Sequence, residues 1–238
     1  MAASGYVCGA DGCAAGWVVA WLDDSGHVGV GIAPDFRALL GMTSAASTVA
    51  VDIPIGLLNA AVPGGRECDR IARKMVGPRA SSVFPPPVYS ALQCVDYAAA
   101  VAANRASSKH ELGISKQCFA LFPRLREVHA LMTPEQQQRV REVHPELCFV
   151  GLNGGKPLVH SKQTTEGLNQ RLALLRAGGV RSPERSLSRF TPGTAAPDDV
   201  LDALAAAWTA RRIASGEATC IPKQPEADQR SLRMEMWC

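Results

Sequence analysis

Tyr6-Val7-Cys8-Gly9-Ala10-Asp11, Trp17-Val18-Val19-Ala20-Trp21-Leu22 and His27-Val28-Gly29-Val30-Gly31-Ile32 follow one another, separated only by Gly12 to Gly16 and by Asp23-Asp24-Ser25-Gly26. Each run favours a strand, and both links carry the Gly, Asp and Ser residues that favour turns. Three consecutive strands joined by such short links form an antiparallel meander. Asp35 to Leu40 then reads as a short helix. Thr48-Val49-Ala50-Val51-Asp52-Ile53 is an apolar run broken by one acid. A run of that kind is a strand buried on both faces, as parallel strands under helices are. The expected fold is α/β with a mixed sheet.

Beyond Pro54-Ile55-Gly56-Leu57 the pattern becomes helical. Arg66 to Met75 reads as a basic helix, Phe84-Pro85-Pro86-Pro87 as a rigid connector and Tyr97 to Arg105 as an Ala-rich helix. Helices are also expected around Gln117 to Leu131 and Pro134 to Val140. Together they form a helical insertion over about residues 66–138. Val140-Arg141-Glu142-Val143 supplies a fifth strand. Thr164 to Arg176 is an amphipathic helix, Gly178 to Pro197 a loop, and Asp198 to Ser215 a final helix. With 238 residues, 47% of them hydrophobic and 20% charged, the chain is expected to be one domain, residues 1–238, with its own core.

A net charge of only +3 argues against a polyanion binder working by bulk charge. Aromatic residues at 5% argue against a module built on stacking platforms. Met1 to Tyr6 lacks a basic leader region, and the apolar runs are interrupted by Asp11 and Asp52 before membrane-spanning length. The expectation is a cytoplasmic protein without membrane contact. Cysteines at 8, 13, 68, 94, 118, 148, 220 and 238 include no Cys-x-x-Cys pair and read mostly as buried thiols, with a zinc site the weaker alternative. Cys238, at a chain end, is the expected exposed exception.

The chemistry lies in the acids. Asp11 ends the first apolar strand and Asp52 falls within or at the end of the fourth, where a carboxylate is costly to bury unless paired or metal-bound. Asp199 and Asp202, three apart at the start of the last helix, share one helix face, while Leu201, Leu204, Ala205 and Trp208 pack beneath. Asp11 before Gly12 also suits a turn, and Asp198 or Asp199 a helix cap. Jointly, the four carboxylates point to one site.

Several motifs carry a family resemblance: Gly9-Ala10-Asp11-Gly12-Cys13 with Gly16-Trp17, Val51-Asp52-Ile53-Pro54-Ile55-Gly56-Leu57, Arg66-x-Cys68-Asp69 with Arg73, Ser82-Val83-Phe84, Glu142-Val143-His144-Pro145-Glu146, and Asp199-x-x-Asp202-Ala203-Leu204-Ala205-Ala206-Ala207-Trp208-Thr209-Ala210. Over nearly the whole chain this set resembles the domain of unknown function 429 family, predicted nucleases of ribonuclease H-like fold. The resemblance implies a five-stranded mixed sheet flanked by helices. Holliday-junction resolvases of the same fold carry an acid on the first strand, another on the fourth, and an Asp-x-x-Asp-Ala-Leu-Ala-like last helix. Asp11, Asp52, Asp199 and Asp202 correspond in type and order, although the fourth-strand acid is often Glu there. Glu142 and Glu146 belong to the family's own motif and join the candidate catalytic set.

Carboxylates suit Mg2+ or Mn2+, which prefer oxygen ligands and retain waters and phosphate oxygens. Two such ions roughly 3.5–4 Å apart activate water and stabilise the leaving oxygen of a phosphodiester. Candidate phosphate partners are Arg66, Arg73 and Arg79, within the densest basic run, and Lys162, in a segment that resembles a family motif. A solvated surface role is the simpler reading for any one of them. His144 is a candidate proton donor, although a histidine before proline is more often structural. The function expected is a divalent-metal-dependent nuclease on DNA or RNA, with a homodimer kept open because resolvases of this fold often dimerise. The alternatives are an actin-like or sugar-kinase-type ATP-dependent phosphotransferase, which needs a second related domain and a Gly-rich phosphate loop not evident here, and a non-catalytic nucleic-acid or protein-interaction module.

Overall fold

The computed structural model describes residues 5–191 and 193–238. β1 (Tyr6–Cys13), β2 (Gly16–Asp23) and β3 (Val28–Ala33) form the antiparallel meander. After α1 (Phe36–Met42), β4 (Val49–Val51) pairs parallel with β1. The connection that follows holds α2 (Glu67–Val76), α3 (Tyr89–Leu92), α4 (Tyr97–Ala106), α5 (Lys116–Ala120) and α6 (Phe122–Leu131). β5 (Val140–Glu142) then pairs parallel with β4. The sheet order is β3-β2-β1-β4-β5, a mixed five-stranded sheet consistent with a ribonuclease H-like arrangement. α7 (Pro145–Leu152), α8 (Thr165–Ala177), α9 (Glu184–Leu187) and α10 (Pro197–Ala214) follow, and β6 (Cys220–Ile221) and β7 (Met236–Trp237) close the chain as a small ribbon.

Four local expectations are corrected. β1 continues two residues past Asp11, because Asp11 and Gly12 stay in register with Val18 and Trp17. Pro134 to Val140 holds only a 3-10 turn, Gln136–Gln138, before the strand begins. Gly178 to Pro197 is not all loop, because Glu184–Leu187 close a helical turn, α9. Cys238 is buried, because its backbone exchanges hydrogen bonds with Thr219 (3.0 and 2.7 Å). All eight cysteines are free thiols. No helix among the described residues is long and apolar enough to cross a membrane.

Alternation along the strands divides the core into two layers. Val7, Cys13, Val18, Ala20, Leu22 and Ala50 pack against α10, while Cys8, Ala10, Val19, Val49 and Val51 pack on the opposite face with Phe36 of α1 and Phe122 and Leu125 of α6. α10 lies on β1 at backbone distance. A Cβ on Gly9 would stand 2.0 Å from the Ala207 nitrogen and 2.2 Å from the Ala203 carbonyl oxygen, and neither backbone atom has room to yield. Gly9→Ala is therefore expected to lower stability by about 3 kcal/mol or more. A urea unfolding midpoint within experimental error of the wild type would show that α10 rides out the extra methyl.

Candidate active site

That close approach sets the chemistry. Asp11 shares the α10-facing side of β1 with Val7 and Gly9, and Asp202 immediately precedes the Ala203–Ala207 segment seated on Gly9. β4 aligns Ala10 with Val51, and the Asp52 N–H donates to the Ala10 carbonyl at 3.0 Å. Asp52 thus stands beside Asp11, close enough for the two carboxyls to influence each other. Asp11 and Asp202 are buried, at 7% and 3% exposure, and Asp52 is partly buried. Gly12 N–H donates to Asp11 Oδ1 at 2.8 Å and orients it.

Burial, followed by repulsion from Asp52 and Asp202, pushes the Asp11 carboxyl well above the ordinary range. Burial also raises Asp52, opposed by His144 and Lys162. It lifts Asp202 to about 6, with Lys162 holding it back. The charge that makes this cluster tolerable is Lys162, whose Nζ lies 2.8 Å from Asp202 Oδ2 and 3.2 Å from Asp198 Oδ2. Burial opposes the lysine's charge, but the surrounding aspartates prevail and strengthen its hold on the proton.

Asp11 and Asp52 open onto a cleft of about 140 Å3, also lined by Gly12, Ser82, Arg124 and His144. Arg124 lies over the Trp17 ring, 6.0 Å from its centroid, and donates to the Cys13 carbonyl. His144 Nε2 is 3.3 Å from the Ser82 carbonyl oxygen, and its Nδ1 is buried without a hydrogen-bond partner among the described residues.

The remaining candidates are held by other partners, although Arg66 and Glu142 also line the cleft. Asp199 accepts the Ala196 N–H at 2.9 Å as a helix cap and borders the cluster rather than joining it. Glu142 pairs in register with Val51, so it shares the face of Val51 and not of Asp52. Its carboxylate accepts the Ile55 N–H at 2.6 Å and both terminal nitrogens of buried Arg66, at 2.5 and 2.8 Å. Arg66 also binds Asp69 at 2.8 Å and the Ile55 and Gly56 carbonyls, which leaves none of its side-chain nitrogens for a substrate phosphate. Glu146 pairs with buried Arg171 at 2.7 Å. Arg73 donates to the Gly64 and Val83 carbonyls, and Arg79 to the Val159 carbonyl at 2.9 Å. Lys162 alone of the four cations expected at phosphates enters the acid cluster, as the partner of carboxylates. Asp198 and Arg124 were not singled out from sequence as site residues. The adjacency of Asp198 to Asp199 was their one visible signal.

The donor chemistry of Asp11, Asp52 and Asp202 is all carboxylate oxygen, and the Asp11–Asp52 repulsion is the kind a hard divalent ion relieves. Among the described residues, no three Asp, Glu, His or Cys side chains stand as a ready metal-binding group, and Asp202 is held by Lys162. The residues therefore fit such an ion in kind, in an arrangement balanced by lysine.

No curated protein and no solved structure matches the chain. A match to the family described as Protein of unknown function (DUF429) runs over residues 9–227, and the chain belongs to that family.

Proposed function

We propose that this protein is a divalent-metal-dependent phosphodiesterase acting on nucleic acid. The observation that carries the reading is the convergence of Asp11, Asp52 and Asp202, from a strand, the end of another strand and a helix far apart in sequence, on one cluster, of which Asp11 and Asp52 line a cleft. Clustered buried carboxylates served by a single lysine are expensive, and such clustering marks functional sites more often than scaffolds. Asp11, Asp52 and Asp202 would hold Mg2+ or Mn2+. When bound, such an ion supplies an activated water and charge stabilisation at the phosphate. Hydrolysis joins the water oxygen to phosphorus, breaks one P–O ester bond and leaves the proton on the departing sugar hydroxyl. Lys162 and Arg124 place cationic charge beside the acids, and Gly12 N–H holds Asp11 in orientation. The test is cleavage of single-stranded, duplex and branched DNA and RNA with Mg2+ or Mn2+. Hydrolysis that chelator abolishes is expected, whereas full activity in chelator, or ATP hydrolysis alone, would overturn the reading.

Lys162 offers a check that does not depend on turnover. Its ammonium neutralises the same carboxylates that an ion would. Lys162→Gln is expected to lower stability in chelator by on the order of 1 kcal/mol, the lysine being part-exposed, and to enlarge the rise in melting temperature on adding Mn2+. An equal or smaller Mn2+ shift would mean that the lysine does not occupy the cation's place.

A further inference from the structure

The second concentration of charge lies on the same sheet face but away from the acids. Arg181, Arg185 and Arg189 line a groove of about 320 Å3 whose other wall is Val28, Gly29 and Val30 of β3, the edge strand. All three arginines are exposed, and none is paired with a carboxylate among the described residues. Glu184, the acid of this segment, is already bound by Arg176 at 3.1 Å. The groove has a rigid wall: the Arg181 N–H donates to the Gly26 carbonyl at 2.8 Å, docking the α8–α9 loop on the β2–β3 turn. A Cβ on Gly26 would lie 2.1 Å from the Gly179 carbonyl oxygen, so the two loops meet at backbone contact.

The groove is also linked to the site through α9. α9 touches both β3 and α10. A second groove, of about 530 Å3, is lined by Leu187, Phe190 and Ala195 together with Asp199. The Ala15 N–H donates to the Thr194 carbonyl at 3.1 Å, which pins this segment to the β1–β2 turn beside Asp11. Val28 and Val30 pack on the α10 side of the sheet, the side Asp11 faces. From the strand register, Asp11 lies two strands across and two to four residues along from the β3 wall, a separation on the order of 15 Å.

We infer that Arg181, Arg185 and Arg189 form a track for the phosphate backbone of a nucleic-acid strand, leading over Leu187 and Phe190 to the acid cluster. The inference rests on the nuclease reading for its substrate class. Guanidinium groups are suited to phosphate oxygens, and unpaired cations spaced along a groove read charge spacing rather than sequence. The apolar floor beside Phe190 offers bases a surface to lie against.

The experiment is fluorescence anisotropy with a dye-labelled single strand of about 20 nucleotides, in chelator and across a salt series, so that binding is read without cleavage. The variant is Arg181→Gln/Arg185→Gln/Arg189→Gln, and the control is Arg37→Gln/Arg105→Gln/Lys109→Gln, which removes equal charge elsewhere. At about 0.1 M salt the groove variant is expected to bind at least tenfold more weakly, with the salt slope smaller by about 2, near 0.7 for each lost phosphate contact. The control is expected to lose much less. Equal losses in both variants, no loss in the groove variant, or no binding by the wild type would overturn the track. Cleavage of the same strand with Mn2+ is read separately. A protein that cuts but binds equally well without the three arginines sinks the track alone. One that binds through them yet never cuts sinks the nuclease reading alone.

Discussion

Asp52→Asn is expected to cut metal-dependent hydrolysis by at least about 10²-fold while leaving stability in chelator equal or higher. Asparagine keeps the side chain's shape and one oxygen, but an amide is a weaker ligand than a carboxylate, and phosphoryl transfer tolerates little misplacement of its charges. The stability half follows from the direction of the shift. Burial raises the Asp52 carboxyl in the folded chain, so ionising it at neutral pH costs more there than in the unfolded chain. Wild-type stability in chelator therefore suffers from this group at pH values above its folded value and recovers as pH falls through it. The asparagine variant has no such loss at neutral pH. Melting curves at pH 5 and pH 8, with single-turnover cleavage in Mn2+, check both halves. A marked drop in melting temperature would identify Asp52 as a structural acceptor, and undiminished cleavage would remove it from the site.

Arg66→Met is expected to be the most damaging substitution away from the acid cluster, costing about 3–5 kcal/mol of the roughly 5–15 kcal/mol typical of a domain. Methionine fills the space but leaves the carboxylates of Asp69 and Glu142 buried without the guanidinium that now binds both. The loss should depend on pH. Burial already pushes Glu142 up to about 7, with Arg66 opposing. A carboxyl lifted in this way binds its proton more tightly when folded, so stability falls as pH rises from the unfolded value of 4.5 to about 7 and then levels. Without Arg66 that dependence steepens, and the variant's deficit in urea unfolding shrinks at pH 5 relative to pH 8. Adding Glu142→Gln is expected to restore part of the loss at pH 8. A deficit of under about 1 kcal/mol, independent of pH, would show that water reaches the pair.

The meander, the fourth strand and the last helix were legible because each follows from local chemistry. Turn residues between β-rich runs and a continuous apolar stretch leave little choice of backbone. Asp11, Asp52 and Asp202 were legible for the same reason, as acids placed where apolar residues belong. The roles of their neighbours were not, because those depend on register and on which side of the sheet a side chain leaves. Glu142 follows a strand pattern as readily as Asp52 does, but its pairing with Val51 turns it to the other face and into the hands of Arg66. Arg66 and Lys162 look alike as cations in a sequence. The first is buried among the carboxylates of Asp69 and Glu142, and the second is carried by a distant loop to Asp198 and Asp202. Local patterns thus determined which strands and helices form and which acids are out of place. Only tertiary packing, of α10 onto Gly9 for the acid cluster and of β5 beside β4 for Glu142, decided which distant charges meet, because their partners are set by distances in space that no spacing along the chain encodes.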